Sequence, residues 1–475
     1  MNIVHRLPVR ENDLRYNLNQ AIIDKFILLL GKESVLTDEE DLFCYSYDAT
    51  PDVKTELPDV VLLPKSAGEI SEIVKIAAAN KIPVYTRGAG TNLSGGSIPL
   101  QKGILLSMLG LDRIIEIDRE NLTATVEAGV VIQSLVDAAA PFGLLYPPDP
   151  GTVQTATMGG SVAECSGGLR GLKYGITKDY VMGIKAVLAD GSIVNYGGKT
   201  VKNVSGFDMK SVFIGSEGML GIITEILVRL IPMPEARQSM MVMYQDLDKA
   251  AKTIREIISN KIIPATLEIL DNITIRAVEE NKKIGLPVDC EAILLIEVDG
   301  IKEAVEKEAK KVRDICTECG AENIVIAEDD SRREEIWAAR RAALPSLVRM
   351  KPTTILEDAT VPRSKIPEMI RAVREIAKKY NVMIGTFGHA GDGNLHPTIL
   401  TDENDTEEME RVHKAISEIF DKALALGGTL SGEHGIGIAK AQFMPRQFSA
   451  AELGMMKKLK TAFDPYNILN PGKFL

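Results

Sequence analysis

The chain has 475 residues and a formal net charge of −11, with 45% hydrophobic and 25% charged residues. That length supports two or three domains, each with its own core, and that balance is ordinary for a soluble globular protein. An acidic chain repels nucleic acid and anionic membrane surfaces, so neither is expected as a partner, and no apolar run approaches the ~20 residues of a transmembrane helix.

The opening stretch, MNIVHRLPVRENDLRYN, lacks the apolar core of a secretory signal. The five cysteines, at 44, 165, 290, 316 and 319, are scattered in the way of reduced thiols in a cytoplasm. Cys316 and Cys319 form one CxxC, which without a second pair reads as incidental. Residues 17–50 read as a helical lead-in, with Ile22, Ile23, Phe26 and Leu29 at helical spacing. Residues 58–63 read as a buried strand. Ser66 then starts a helix, with Glu69 completing a capping box and Ile70, Ile73, Val74 and Ala77 as its apolar stripe. A strand over 83–86 delivers the run RGAGTNLSGG, residues 87–96, at its end, where ligands gather in α/β folds.

Glycines at 88, 90, 95 and 96, interleaved with Arg87, Ala89, Thr91, Asn92, Leu93 and Ser94, predict converging backbone N–H groups, an anion nest suited to phosphate. An ordinary glycine-rich turn is the other reading. The run is not a dinucleotide-binding fingerprint, because Leu93 stands where the third glycine belongs. Gly198-Lys199-Thr200 is not a P-loop, because Ile193 takes the place of its first glycine.

Short strands are expected over 104–107, 114–117 and 123–127, and a helix over 131–140. Residues 146–175, YPPDPGTVQTATMGGSVAECSGGLRGLKYG, hold seven glycines and three prolines, so no regular helix or strand is expected there. A long loop inside a compact domain is usually functional, and its small residues would let a flat ligand lie on backbone. Strands over 181–188 and 192–194 follow. A third glycine cluster, GSEGMLG at 215–221, opens the apolar run 222–231.

Together these clusters resemble the FAD-binding half of the vanillyl-alcohol oxidase and p-cresol methylhydroxylase family, and more closely the FAD-linked D-2-hydroxyacid dehydrogenases: the glycolate oxidase large subunit and D-lactate dehydrogenases. The resemblance implies that residues 87–94 hold the pyrophosphate. It implies further flavin contacts from Pro148, Asp149, Gly151, Thr152, Met158, Gly159, Gly160, Ser161, Ala163, Gly167, Gly168, Gly171, Tyr174 and Gly175, and from Glu217, Gly218, Gly221 and Ile222. Some relatives carry a histidine in the pyrophosphate loop that anchors FAD covalently. This loop has none, so non-covalent FAD is expected. The implied fold is α+β: a helical lead-in (1–53), a two-part FAD-binding domain (54–233), an α/β cap on an antiparallel sheet (234–430), and a C-terminal segment (431–475) in which Asn470 returns to the flavin.

Pro232 and Pro234 mark the boundary to the cap. Helices over 247–260 and 302–319 are expected to alternate with strands over 265–270, 292–298 and 323–327. Of five histidines in the chain, three fall in TFGHAGDGNLH (386–396) and SGEHGIG (431–437). His389, His396 and Glu433 offer two imidazoles and a carboxylate, three positions of a divalent transition ion such as Fe, Zn or Mn, with positions left open for substrate. The resemblance assigns the same residues to a metal. His434, next to Glu433, is the natural base at neutral pH, or else a residue that orients Glu433. His5 and His413 lack such company. Arg340 aligns with the substrate-carboxylate arginine of these relatives. Leu356 stands where 2-hydroxyglutarate dehydrogenases have a lysine, which favours a substrate with one carboxylate.

The expected activity is FAD- and metal-dependent oxidation of a small 2-hydroxy acid, D-lactate ahead of glycolate, by hydride transfer to flavin N5. Electrons would pass to a protein such as an electron-transfer flavoprotein, or to a quinone, since no iron–sulfur or haem motif is present. An oligomer or hetero-complex stays open. A non-catalytic flavoprotein subunit and a non-redox flavoenzyme of the same fold are the competing readings.

Overall fold

The structure is a computed structural model that describes residues 16, 18–51, 53 and 55–475. His5 and nearly all of the opening stretch read for a signal lie outside the described residues.

The lead-in helix is Gln20–Leu30, capped by the Asn19 side chain, with Ile22, Ile23 and Phe26 buried. The strand Val60–Leu62 pairs in parallel with Ile104–Ser107, which pairs in parallel with Val84–Arg87. The helix Ala67–Asn80 makes the crossover. Ser66 caps it by accepting from Glu69 N, while the Glu69 carboxylate takes Lys65 N instead of closing the box on Ser66. A second sheet of five strands is antiparallel, in the order Ile114–Asp118, Thr123–Glu127, Ile222–Arg229, Val181–Val187 and Ile193–Gly197.

Residues 146–175 differ from expectation. Met158–Glu164 is a helix of seven residues, and Gly171–Tyr174 forms one further turn. Thr157 supplies the N-cap by accepting from Gly160 N. The glycines that lower helix propensity are what let this helix sit: a Cβ on Gly159 would stand 2.7 Å from Ala128 Cβ and 2.9 Å from Ala128 O. Close packing on the second sheet therefore outweighs the intrinsic penalty of about 1 kcal/mol per glycine.

The third sheet runs Asn323–Ile326, Ala236–Tyr244, Ala292–Gly300, Thr266–Asp271, Met383–His389, Asn394–Thr401 and Thr353–Leu356, with Ala359–Thr360 also pairing on Asn394–Thr401. Its pairings are antiparallel. Both faces are covered, so AILLIEVDG reads as a continuous apolar run. Leu294, Ile296 and Val298 pack on one face, Ile293 and Leu295 on the other. The second face, with Phe387 and Leu400, lies under the helix Asp330–Arg341, which buries Ile336, Trp337 and Ala339.

The C-terminal segment returns to the first sheet. Val84 N donates to Ile468 O at 2.7 Å and Asn470 N to Val84 O at 2.8 Å. Asn470 Nδ2 holds Gly96 O, and Lys473 Nζ holds Gly95 O and Ile98 O, so the chain's end pins the glycine loop. Among the described residues no helix is long and apolar enough to cross a membrane.

Candidate active site

The hairpin Met383–His389/Asn394–Thr401 sets the geometry. Register places Phe387 opposite His396 and His389 opposite Asn394, so two-residue alternation brings His389 and His396 to one face. The turn 431–434 brings Glu433 against them. Its Oε1 lies 3.3 Å from His389 Nε2 and 3.3 Å from His396 Nε2. Ligand atoms of these three residues all lie within 4.8 Å of one another. Gly167, from the segment 146–175, packs against this carboxylate: a Cβ there would stand 2.5 Å from Glu433 Oε2.

The environment fixes the charges. Burial works against charge on His389, but Glu268 and Glu433 outweigh it and hold its pKa well above the usual histidine range. Burial opposes the Glu433 charge too, yet His389 and His396 hold its carboxyl well below the usual range. This concentrated donor set, two imidazoles and one carboxylate, suits a divalent transition ion.

His434 behaves differently. Its ring stacks on His396 at 5.0 Å between centroids and 9° between planes. Burial lowers its pKa to about 4, with His396 and Lys440 pushing the same way and Asp358 only partly offsetting them. The imidazole is neutral at pH 7 and its Nε2 is 3.9 Å from Glu433 Oε1.

Arg340 lies in the last turn of the helix Asp330–Arg341. Its Nε donates to Glu268 Oε2 at 2.5 Å, and its guanidinium lies 4.7 Å from the centre of the Phe387 ring. Arg341, its neighbour, is 56% exposed and pairs with Glu334. Leu356 lines the same space.

Sequence reasoning did not find Glu268. Its carboxylate, fully buried, takes Arg340 with one oxygen and His389 Nδ1 with the other at 2.7 Å. An acid in mid-strand, between the apolar residues of TLEILD, was the available signal, because a buried carboxylate requires partners. Asp358, also fully buried, was likewise missed.

Arg340, His389, His396, Glu433 and His434 share one cavity of about 1090 Å³ with the glycine loops. The first loop lines it with Gly88, Ala89, Gly90, Thr91, Asn92 and Leu93. The second contributes Asp149, Gly151, Thr152, Gly159, Gly160, Ser161 and Ala163, and the third Glu217, Gly218, Gly221 and Ile222. Such a volume exceeds what one small ligand fills, about 300–1,000 Å³, and a glycine-lined cradle admits a ligand directly against backbone.

Several expected contacts lie off this lining. Arg87 turns away, donating to Tyr47 O at 2.5 Å from beneath Gly90, and so braces the loop from behind. Ser94 holds His434 O, and Asn470 holds Gly96 O and Glu217 O. Pro148, Gly168, Gly171 and Gly175 are also off it, as is Met158, which is buried in the core. Tyr174 donates to Asp299 of the cap sheet. Cys316 and Cys319 are buried in the core, and burial pushes the Cys316 thiol up to about 12, which suits an inert thiol. His413 is exposed on the helix Thr406–Ala425.

Comparison with known proteins agrees with this architecture. Residues 58–197 match the FAD binding domain family model, and 233–474 match that of FAD linked oxidases, C-terminal domain. The chain is 48% identical over 456 residues to "Glycolate oxidase subunit GlcD" of Bacillus subtilis strain 168, covering 96% of this chain and 97% of that protein. It is 34% identical to "D-lactate dehydrogenase" of Anaerostipes hadrus, covering 97% and 99%. A crystal structure of p-cresol methylhydroxylase superposes with a TM-score of 0.77 at 19% identity over 95% of this chain and 96% of the other, a likeness of fold. The two-part FAD-binding fold, the family models and these full-length identities lead to one conclusion: the chain belongs to the FAD linked oxidases and is an FAD-dependent oxidoreductase.

Proposed function

We propose that the protein oxidises a small 2-hydroxy acid with one carboxylate, D-lactate ahead of glycolate, using non-covalent FAD and one divalent transition ion held by His389, His396 and Glu433. The observation that carries this reading is that Arg340, His389, His396, Glu433 and His434 line the same cavity as the glycine loops. The names of the relatives, a glycolate oxidase subunit and a D-lactate dehydrogenase, support the substrate class.

Bound FAD supplies a two-electron acceptor, and the metal a Lewis acid. The residues do the rest. Arg340 receives the substrate carboxylate with its Nη groups, its Nε being committed to Glu268. His434, neutral and buried, accepts the substrate hydroxyl proton at Nε2. Glu268 holds Arg340 and His389 in fixed relation, so the carboxylate anchor and the metal ligand cannot drift apart. Leu356 presents no charge to a second carboxylate. Residues 54–233 act as the FAD-binding unit and 234–430 as the substrate cap. Reoxidation falls to a protein acceptor such as an electron-transfer flavoprotein, or to a quinone.

Anaerobic mixing of the purified yellow protein with a panel of D- and L-2-hydroxy acids tests this. Flavin bleaching by D-lactate or glycolate, abolished by chelation, is expected. A metal-replete protein whose flavin no 2-hydroxy acid reduces would overturn the assignment and return the non-redox reading.

A further inference from the structure

The stacked histidine pair has a second edge. His396 directs Nε2 toward Glu433, and His434 Nε2 lies nearest the same carboxylate. The Nδ1 atoms of both rings are buried and have no hydrogen-bond partner among the described residues, and neither has Asp358 Oδ1. Three bare buried polar atoms on neighbouring residues are unusual, because each would forfeit the full cost of desolvation. One oxygen of Asp358 and one ring nitrogen of each histidine lie within 4.8 Å of one another. Residues that close are within reach of one shared water.

The other oxygen of Asp358 is fully used. Oδ2 accepts from Ser431 Oγ at 2.7 Å and from the backbone N–H of Gly432, Glu433 and His434 at 2.8, 2.9 and 3.0 Å. The carboxylate therefore builds the turn that carries Glu433 and His434, with Oδ1 free. Four donors on Oδ2 suit the ionised carboxylate, which offers only acceptors.

We propose that Asp358 is the positioning residue for both histidines: one shared buried water accepts their Nδ1–H groups and donates to Asp358 Oδ1. The two N–H donors fill both acceptor sites of the water, and one of its two O–H groups meets the carboxylate oxygen. The arrangement fixes the Nδ1–H tautomer in each ring. It thereby leaves the Nε2 lone pair of His396 for the metal and that of His434 for the substrate proton. The inference rests on the ligand and base roles proposed above.

Asp358→Asn separates this role from a structural one. The Asn carbonyl can keep all four Oδ2 contacts, but an NH2 group replaces the acceptor at Oδ1. In holoprotein with FAD bound, zinc affinity measured by chelator competition should fall 10–100-fold while FAD content and Tm stay unchanged. The second readout is 15N NMR of histidine-labelled, zinc-loaded protein, where five histidines give few signals and His434→Asn assigns one of them. Wild type should show His434 as Nδ1–H, and Asp358→Asn should move it to Nε2–H. Unchanged zinc affinity and tautomer in the variant would overturn the proposal. Should the variant not fold, the wild-type spectrum decides, since Nε2–H at His434 is incompatible with it. No hydroxy acid is used, so a failure of flavin reduction leaves these outcomes standing.

Discussion

Glu268 Oε1 and His389 Nδ1 stand 2.7 Å apart on adjacent strands, deep in the face of the cap sheet that carries the site. The second oxygen of the same carboxylate takes Arg340 Nε. Both partners need an acceptor, and a carboxylate supplies one to each. Glu268→Gln cannot do so, because its amide offers one acceptor and one donor group. Metal affinity should fall 10–100-fold if the amide turns its NH2 to His389, and KM should rise if it turns it to Arg340. Metal content and steady-state kinetics on one preparation distinguish the two. Wild-type values for both would remove Glu268 from the site.

Arg340→Lys keeps the charge but loses the planar fork that serves Glu268 and the substrate together. We expect a raised KM, about 2 kcal/mol of charged hydrogen bonding or about 30-fold, with a smaller change in kcat. Unaltered kinetics would put the substrate carboxylate elsewhere.

His389 in the metal-free protein carries a proton at neutral pH, because Glu268 and Glu433 outweigh burial and hold its pKa well above the usual range. A metal ligand must be neutral, so each ion bound displaces about one proton. Below that pKa, metal affinity should therefore strengthen about tenfold for each unit of rising pH. Zinc titrations between pH 6 and 8, in buffers of different ionisation enthalpy, measure the slope and the proton count. A pH-independent affinity would mean that His389 is not a ligand.

The contiguous motifs were legible because their chemistry is local. Residues 87–94 and 386–396 each place several functional atoms within one loop or hairpin, and glycine or histidine marks them. Glu268 and Asp358 were illegible for the opposite reason: their partners lie far along the chain, 72 and 121 positions away for Glu268 and 73–76 for Asp358. Arg87 shows the limit of a motif. Its place in the loop suggested a phosphate contact, but Tyr47 O draws the guanidinium behind the loop. The helix Met158–Glu164 was hidden because Gly159 is required by its contact with Ala128, which no local propensity encodes.

That contrast gives a paired test of the second loop. Gly160 faces the cavity, with only Thr157 Oγ1 near a notional Cβ, whereas Gly159 abuts Ala128. Gly160→Leu should lose FAD occupancy while the stability of the apoprotein holds. Gly159→Ala should lower stability by about 1–3 kcal/mol through overpacking. Flavin content and denaturant midpoints check both, and full FAD content in Gly160→Leu would sink the assignment of this loop.

His434→Asn isolates the proton-accepting role from the metal. His434 is stacked on His396 but 3.9 Å from Glu433, farther than the 3.3 Å of either histidine assigned as a ligand. The variant should therefore keep FAD and metal, and substrate should still bind through Arg340. Flavin reduction should slow by roughly 10²–10⁴-fold, the usual penalty for losing a positioned base. The pH dependence has a definite sign. Burial first, then His396 and Lys440, bring the His434 pKa down to about 4, so the unliganded enzyme holds it ready to accept a proton across the neutral range and loses that capacity only as pH falls toward 4. Stopped-flow reduction in wild type should show its acid limb there, and His434→Asn should lack it. Metal content measured on the same samples closes the argument. Loss of the ion would make His434 a ligand, and reduction at the wild-type rate would send the hydroxyl proton by another route.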